Sequence, residues 1–338
     1  MLYNWLCDIY LVELIDSFID TQKRVSVFYI SISIFLALGW SVWVSGGSLT
    51  KGCLSGFKRL FGASVLFSKS ARADYKLLLI NHALMLLVAP LLLTKMASAT
   101  FIYFLLVEYL PSDSGVLSSV PYWSVMLGYT LFLFLLDDLS RFAVHLALHR
   151  IPLLWAFHKI HHSAETLTPL TVYRTHPLEG IIFSLRGILV QAASVAFFVF
   201  LFDDKVDLVS IYGVNLLLFI FNVTGANLRH SHIQISYGRI VEKFLISPAQ
   251  HQIHHSVLPK HHNKNYGVVL AVWDRIFSTL CLTEKDLNLL FGLSEKQKPS
   301  QHNILKLYFG PFVEVWKFHS LFLSQKKLKN NDNVVQAT

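Results

Sequence analysis

The segment YWSVMLGYTLFLFLLDDLSRFAVHLALH, Tyr122 to His149, decides the architecture. It contains no proline and a single glycine, so it reads as one uninterrupted helix. At about 1.5 Å per residue it is a rod of roughly 42 Å, some 12 Å longer than a ~30 Å hydrocarbon core. The surplus lies at the polar end, Asp137-Asp138-Leu139-Ser140-Arg141, which places His145 and His149 at or beyond the membrane surface. Four residues apart, the two imidazoles share one helix face.

The rest of the chain agrees with a membrane reading. Of 338 residues, 15% are charged and 54% apolar, and the mean hydropathy is +0.49. A soluble domain carries about 25% charged residues, and disorder needs low hydrophobicity. Three separated cysteines exclude a disulfide scaffold and a thiolate zinc site. The net charge of +8 (29 basic against 21 acidic residues) fits basic cytoplasmic loops, and no nucleic-acid partner is expected.

Further spans follow by length. Val25–Val44 is the first, retained because the acidic segment before it lacks the basic start of a leader. Residues 45–76 read as a basic cytoplasmic loop and Leu77–Leu93 as a second span. Residues 97–110 are short enough for an interfacial or re-entrant piece. Gly180–Phe202 and Val206–Val223 read as a hairpin that enters and returns, which leaves the histidines before and after it on one side. The expected fold is all-α and integral to the membrane, with about four to five spans. The expected domains are an N-terminal membrane region (1–121), a catalytic domain (122–283) and a basic tail (284–338).

Thirteen of sixteen histidines lie between His145 and His262. After the pair 145/149 come His158-x-x-His161-His162 and, some 90 residues on, His251-x-x-His254-His255. At this histidine frequency one H-x-x-H-H window arises by chance about once in ten thousand. Imidazole is a neutral nitrogen ligand for iron, zinc or copper. Eight such residues exceed the four ligands of a structural zinc site and suit two metal ions. Three other readings compete. A solvated basic or pH-sensing surface needs no such spacing. A di-zinc hydrolase usually adds bridging carboxylates, which the cores of the boxes lack. A metal transporter would string histidines along its spans. His82 reads as a packed span residue, and His302 and His319 as solvated tail positions.

These boxes resemble those of the membrane fatty acid hydroxylase superfamily, the histidine-box group that includes the sterol desaturases. The surroundings agree: Asp138 seven residues before His145, Leu154-Trp155-Ala156-Phe157-His158, Arg174-Thr175-His176-Pro177-Leu178-Glu179, Ser247-Pro248, Asn265-Tyr266-Gly267 and Trp273-Asp274-Arg275-Ile276-Phe277. The resemblance covers about residues 122–283. One departure is Ser278-Thr279, where the family has Gly-Thr.

The resemblance implies a transmembrane helical stem with a cytosolic helical cap holding two iron ions. Its implied ligands are His145, His149, His158, His161, His162, His230, His251, His254 and His255, with His232 and His261 as further candidates. Asp138, Arg174 and His176 are candidates for supporting the ligands from behind. The implied activity is O2-dependent hydroxylation of a C–H bond in a membrane lipid (acyl, sterol or ether lipid), with desaturation as the alternative. No dinucleotide fingerprint is present, and His176-Pro177 lacks the glycines of a fused b-type cytochrome. A separate electron donor is therefore expected: a ferredoxin, a b-type cytochrome or a reductase. The boxes are expected on the cytoplasmic side of a bacterial inner membrane or the endoplasmic reticulum.

Overall fold

In the computed structural model, residues 5–21, 23–111, 113–206, 216–284, 287–294 and 301–335 are described. Among them the chain is helical, with two isolated bridges and no strand. The main helices are α1 (Leu11–Ile19), α2 (Val27–Val44), α3 (Leu49–Phe61), α4 (Lys69–Val88), α5 (Lys95–Tyr109), α6 (Tyr122–Arg150), α7 (Pro152–His162), α8 (Pro177–Phe202), α9 (Leu216–Val223), α10 (Pro248–His254) and α11 (Ile304–Val335). Their ends follow local chemistry. Ser68, Thr94 and Ser247 accept backbone N–H groups at the starts of α4, α5 and α10. α6 stops at Ile151, held extended by the following Pro152, and that proline then opens α7.

The long helix expected over Tyr122–His149 is α6. It runs antiparallel to α8, and Val125, Tyr129 and Leu133 pack on Val190 and Phe198. Tyr129 meets Phe198 edge-on at 5.3 Å, a contact worth about 0.5–1.5 kcal/mol beyond its buried area. Outward-facing Phe35, Trp43, Leu91, Phe101, Phe104 and Trp123 are all more than half exposed. An apolar surface of that kind suits lipid.

Among the described residues, three stretches are long and apolar enough to cross a membrane: Val27–Val44, Lys69–Tyr109 and Pro177–Phe202. The second of these, 41 residues long, contains both α4 and α5. The second half of the expected 180–223 hairpin falls partly on residues 207–215, outside the described residues. The run 97–110 is a packed helix, α5, tied to α8 through Tyr103, Ser114 and the Phe200 carbonyl. The expected loop 45–76 is mostly helix, because α3 folds back along α2. A Cβ on Gly52 would sit 2.4 Å from Val42 Cα, and one on Gly56 2.8 Å from Ser41 Oγ. Only glycine permits that approach, and the Gly52-x-x-x-Gly56 spacing carries the signal for it.

Helices α7 and α10 and the turns around Ala226–His230 form a cap at the end of the stem where α6 finishes and α8 begins. The C-terminal helix α11 packs against stem and cap. Leu307 of α11 packs with Leu77 and Ile160, and Lys159 pairs with Glu314.

Candidate metal centre

Each box lies where helix geometry converges its rings. His145 and His149 end α6, His158, His161 and His162 line α7, and His251, His254 and His255 end α10. Together with His230 they form two adjoining sets. His145, His149, His158, His162 and His254 make one, and His161, His230, His251 and His255 the other. Within each set one nitrogen per residue lies within 4.8 Å of the others. His162 and His255 stack at 4.5 Å and join the two.

The spacing within the second set fits a bound cation. The Nε2 atoms of His230, His251 and His255 form a triangle with edges of 3.1, 3.1 and 3.2 Å. His161 Nδ1, His162 Nε2 and His254 Nε2 are buried with no hydrogen-bond partner. Such a buried, unsatisfied polar group is costly. A metal about 2.0–2.1 Å from imidazole nitrogens spreads neighbouring ligand atoms roughly 3 Å apart. Burial drives the imidazole pKa values down, to about 3 for His158 and His161. The same cause, with repulsion from neighbouring rings, holds His162, His230, His251, His254 and His255 well below the ordinary value. All are therefore neutral at pH 7, the form that ligates.

Other groups set ring orientation. His145 Nδ1 donates to Tyr266 O and His254 Nδ1 to Lys264 O, both at 2.8 Å. His158 Nδ1 meets Glu179 Oε1 at 3.1 Å. Each bond turns the ring's other nitrogen toward its neighbours. The sequence assigns Glu179 no role, but its position three residues after the His176 cap of α8 is the signal for one. The loop carrying the two carbonyls is pinned in turn. Asp274 accepts from Tyr266 N, Gly267 N and the Thr279 hydroxyl. A Cβ on Gly267 would lie 2.7 Å from Leu270 O.

Three expected supporting residues act differently. Among the described residues Asp138 makes no hydrogen bond to an imidazole; it accepts from Val269 N, Leu270 N and Trp273 Nε1, tying α6 to the loop behind His145. Arg174 is fully buried, paired to Asp74 at 2.7 Å and bonded to Ile160 O, Ser163 and Gln301 O. His176 caps α8 through Leu178 N and bonds Tyr308 O, away from the histidine sets. Of the further ligand candidates, His232 sits beside Phe291 and His261 is buried with its Nδ1 unpartnered; neither belongs to a set. His302 is not solvated but bonds Arg174 and Glu165. His82 packs edge-on against Tyr10, as expected of a span residue.

The departure at Ser278 now has a physical reading. Its φ is +58°, in the left-handed region that favours glycine. Ser278→Gly is expected to stabilise the protein by about 0.5–1 kcal/mol. The denaturation midpoint in detergent checks this, and a lowered midpoint would contradict a strained turn.

A cavity of about 360 Å³ reaches the first set; His149, Trp155, His162, His254, Val257 and His262 are among its lining residues. Trp155 lies 5.0 Å from His149 and 5.5 Å from His162, partly covering both.

Residues 130–279 match the family model of the fatty acid hydroxylases. The chain is similar to alkylglycerol monooxygenases. It is 26% identical to that of Danio rerio over 180 residues, which are 52% of this chain and 34% of that protein. The Caenorhabditis elegans protein is 26% identical over 163 residues, 48% of this chain and 29% of the relative. The Homo sapiens protein is 24% identical over 204 residues, 59% and 40% respectively. The chain thus aligns with well under half the length of these relatives. No solved structure matches it. All nine converging histidines lie within residues 130–279, the stretch that matches the fatty acid hydroxylase family model.

Proposed function

We propose that the protein is an O2-dependent monooxygenase of a membrane lipid, with two iron ions held by His145, His149, His158, His162 and His254 and by His161, His230, His251 and His255. One observation carries the reading: two adjoining sets of buried, neutral imidazoles at the end of an apolar stem. When bound, the irons supply O2 reduction and cleavage of an unactivated C–H bond. The chain's own residues do the rest. Tyr266 O, Lys264 O and Glu179 fix the rings. Trp155 and the 256–263 loop narrow the solvent path. The apolar stem lets the substrate approach from the bilayer. Residues 122–283 form the catalytic unit, with the cytoplasm as the side of the cap. Residues 1–121 and 284–338 brace it through Asp74, Asn81, Gln301 and Tyr308. Electrons come from a separate ferredoxin, b-type cytochrome or reductase.

Lipid extracts of a deletion strain and its parent, grown under ¹⁸O2, test the activity. The expected difference is a lipid with one ¹⁸O atom that only the parent makes. A product lacking two hydrogens and carrying no label would establish desaturation instead. Unlabelled hydrolysis products alone would contradict the proposal. Glu179→Gln is expected to weaken metal binding about 10–100-fold in chelator competition, and unchanged affinity would remove Glu179 from the support of His158.

A further inference from the structure

A groove of about 810 Å³ lies between α7 and the first half of α11. Its α7 side is formed by Lys159, Ile160 and Ser163, and none of the nine converging histidines lines it. Its α11 side carries Leu305, Phe309 and Val313, each more than half exposed. With the exposed Phe312 and Trp316 they follow the i, i+4, i+7, i+8, i+11 spacing of one helix face. The opposite face of α11 is already packed, through Leu307 on Leu77 and Ile160. Gly310 also lines the groove, and a Cβ there would meet nothing within 4 Å. A helix interior gains nothing from glycine; at this position its absent side chain leaves the groove open.

The polar groups of the groove are unevenly satisfied. Lys159 pairs with Glu314. Among the described residues, the Lys306 and Lys317 side chains have no ion pair or hydrogen bond. Gln301, 3% exposed, accepts from Leu293 N through Oε1, while its Nε2 is buried without a partner. An N–H left unbonded in the interior is costly. Gln301 and Lys306 both line the groove at the start of α11. That end therefore offers an unpaired amide donor and an unpaired ammonium, and both suit an anionic oxygen such as that of a phosphate. Lys317 lies three helical turns further on, about 16 Å along the axis.

The surroundings indicate what carries the anion. The start of α11 is fastened to the start of α4, since Arg174 bonds both Gln301 O and Asp74. α4 opens the candidate span Lys69–Tyr109. The Gln301–Lys306 end thus lies beside the polar end of a span, where headgroups sit, and the exposed apolar stripe runs away from it. A helix with aromatic and leucine residues on one face and lysines at its edge lies against lipid. The volume falls within the roughly 300–1,000 Å³ of concave ligand sites, which suits an acyl chain better than the flat rim of a protein partner. We propose that this groove holds an anionic phospholipid of the surrounding leaflet, one acyl chain along Leu305, Phe309 and Val313 and the phosphate at Lys306 and Gln301. The lipid would lie behind α7, on the far side of that helix from the metal centre.

Native mass spectrometry of the detergent-purified full chain tests this, with phosphatidylglycerol, phosphatidylcholine of the same chains, and oleate titrated separately. One phosphatidylglycerol is expected to bind about tenfold or more tightly than phosphatidylcholine, the effect of a hydrogen bond to a charged group. Lys306→Gln should remove that preference, and Gly310→Leu should weaken both lipids by filling the groove. Both variants should fold, because Lys306 is exposed and the added side chain at Gly310 starts in open space. Equal binding of the two phospholipids by the wild type, or an unchanged preference in Lys306→Gln, would overturn the headgroup seat. Unchanged affinity in Gly310→Leu would overturn the groove as the site. Oleate binding more tightly than phosphatidylglycerol would assign the groove to a free fatty acid instead. A dimer that Gly310→Leu disperses would make this face an interface between copies and overturn the proposal.

Discussion

Replacing either His161 or His254 with alanine is expected to reduce lipid oxidation to background and to lower the metal content of the purified protein. The two residues belong to different sets, so each variant damages a different half of the centre. The expected loss exceeds about 100-fold, because even groups that merely hold a ligand ring in place cost about 10–100-fold. The fold should survive. Both rings are held mainly by contacts with other histidines, and neither bridges helices of the stem. Circular dichroism and the thermal midpoint separate loss of ligand from loss of fold. Full activity in either folded variant would remove that residue from the centre.

The second large effect concerns stability. Arg174 and Asp74 are both fully buried and paired at 2.7 Å. The pair joins α4 to the turn after α7, and the arginine also holds Gln301 O at the start of the C-terminal region. Arg174→Met leaves the Asp74 carboxylate buried without its counter-charge, and breaking such a pair costs about 3–5 kcal/mol. Asp74→Asn combined with Arg174→Met should recover part of that loss, because the uncompensated charge is gone. Denaturation midpoints of the two single variants and the double variant check this. A double-variant loss equal to the sum of the two single losses would show that the residues act independently.

How far the sequence could be read depends on whether a feature is local. The boxes were legible because offsets of three and four residues along α6, α7 and α10 place rings on one face regardless of the rest of the fold. The Tyr122–His149 helix was legible for the same reason: a long apolar run without proline has one outcome. What holds the rings was not legible. His145 reaches Tyr266 O across 121 positions, and Arg174 finds Asp74 across 100. No periodicity encodes such pairings. Asp138 illustrates the trap. Seven residues before His145 it shares that helix face, yet the loop that returns from Gly267 captures the carboxylate first. The N-terminal region was misread because its lysines and arginines suggested a loop, while Gly52 and Gly56 specify a helix pressed against α2.

The central claim is that the nine converging histidines hold two irons. Elemental analysis of the detergent-purified chain, expressed with iron and zinc both available, tests it most directly. About two irons per chain are expected, with less metal in the His161→Ala and His254→Ala variants. Stoichiometric zinc in place of iron, with lipid turnover that persists in anaerobic buffer, would contradict it.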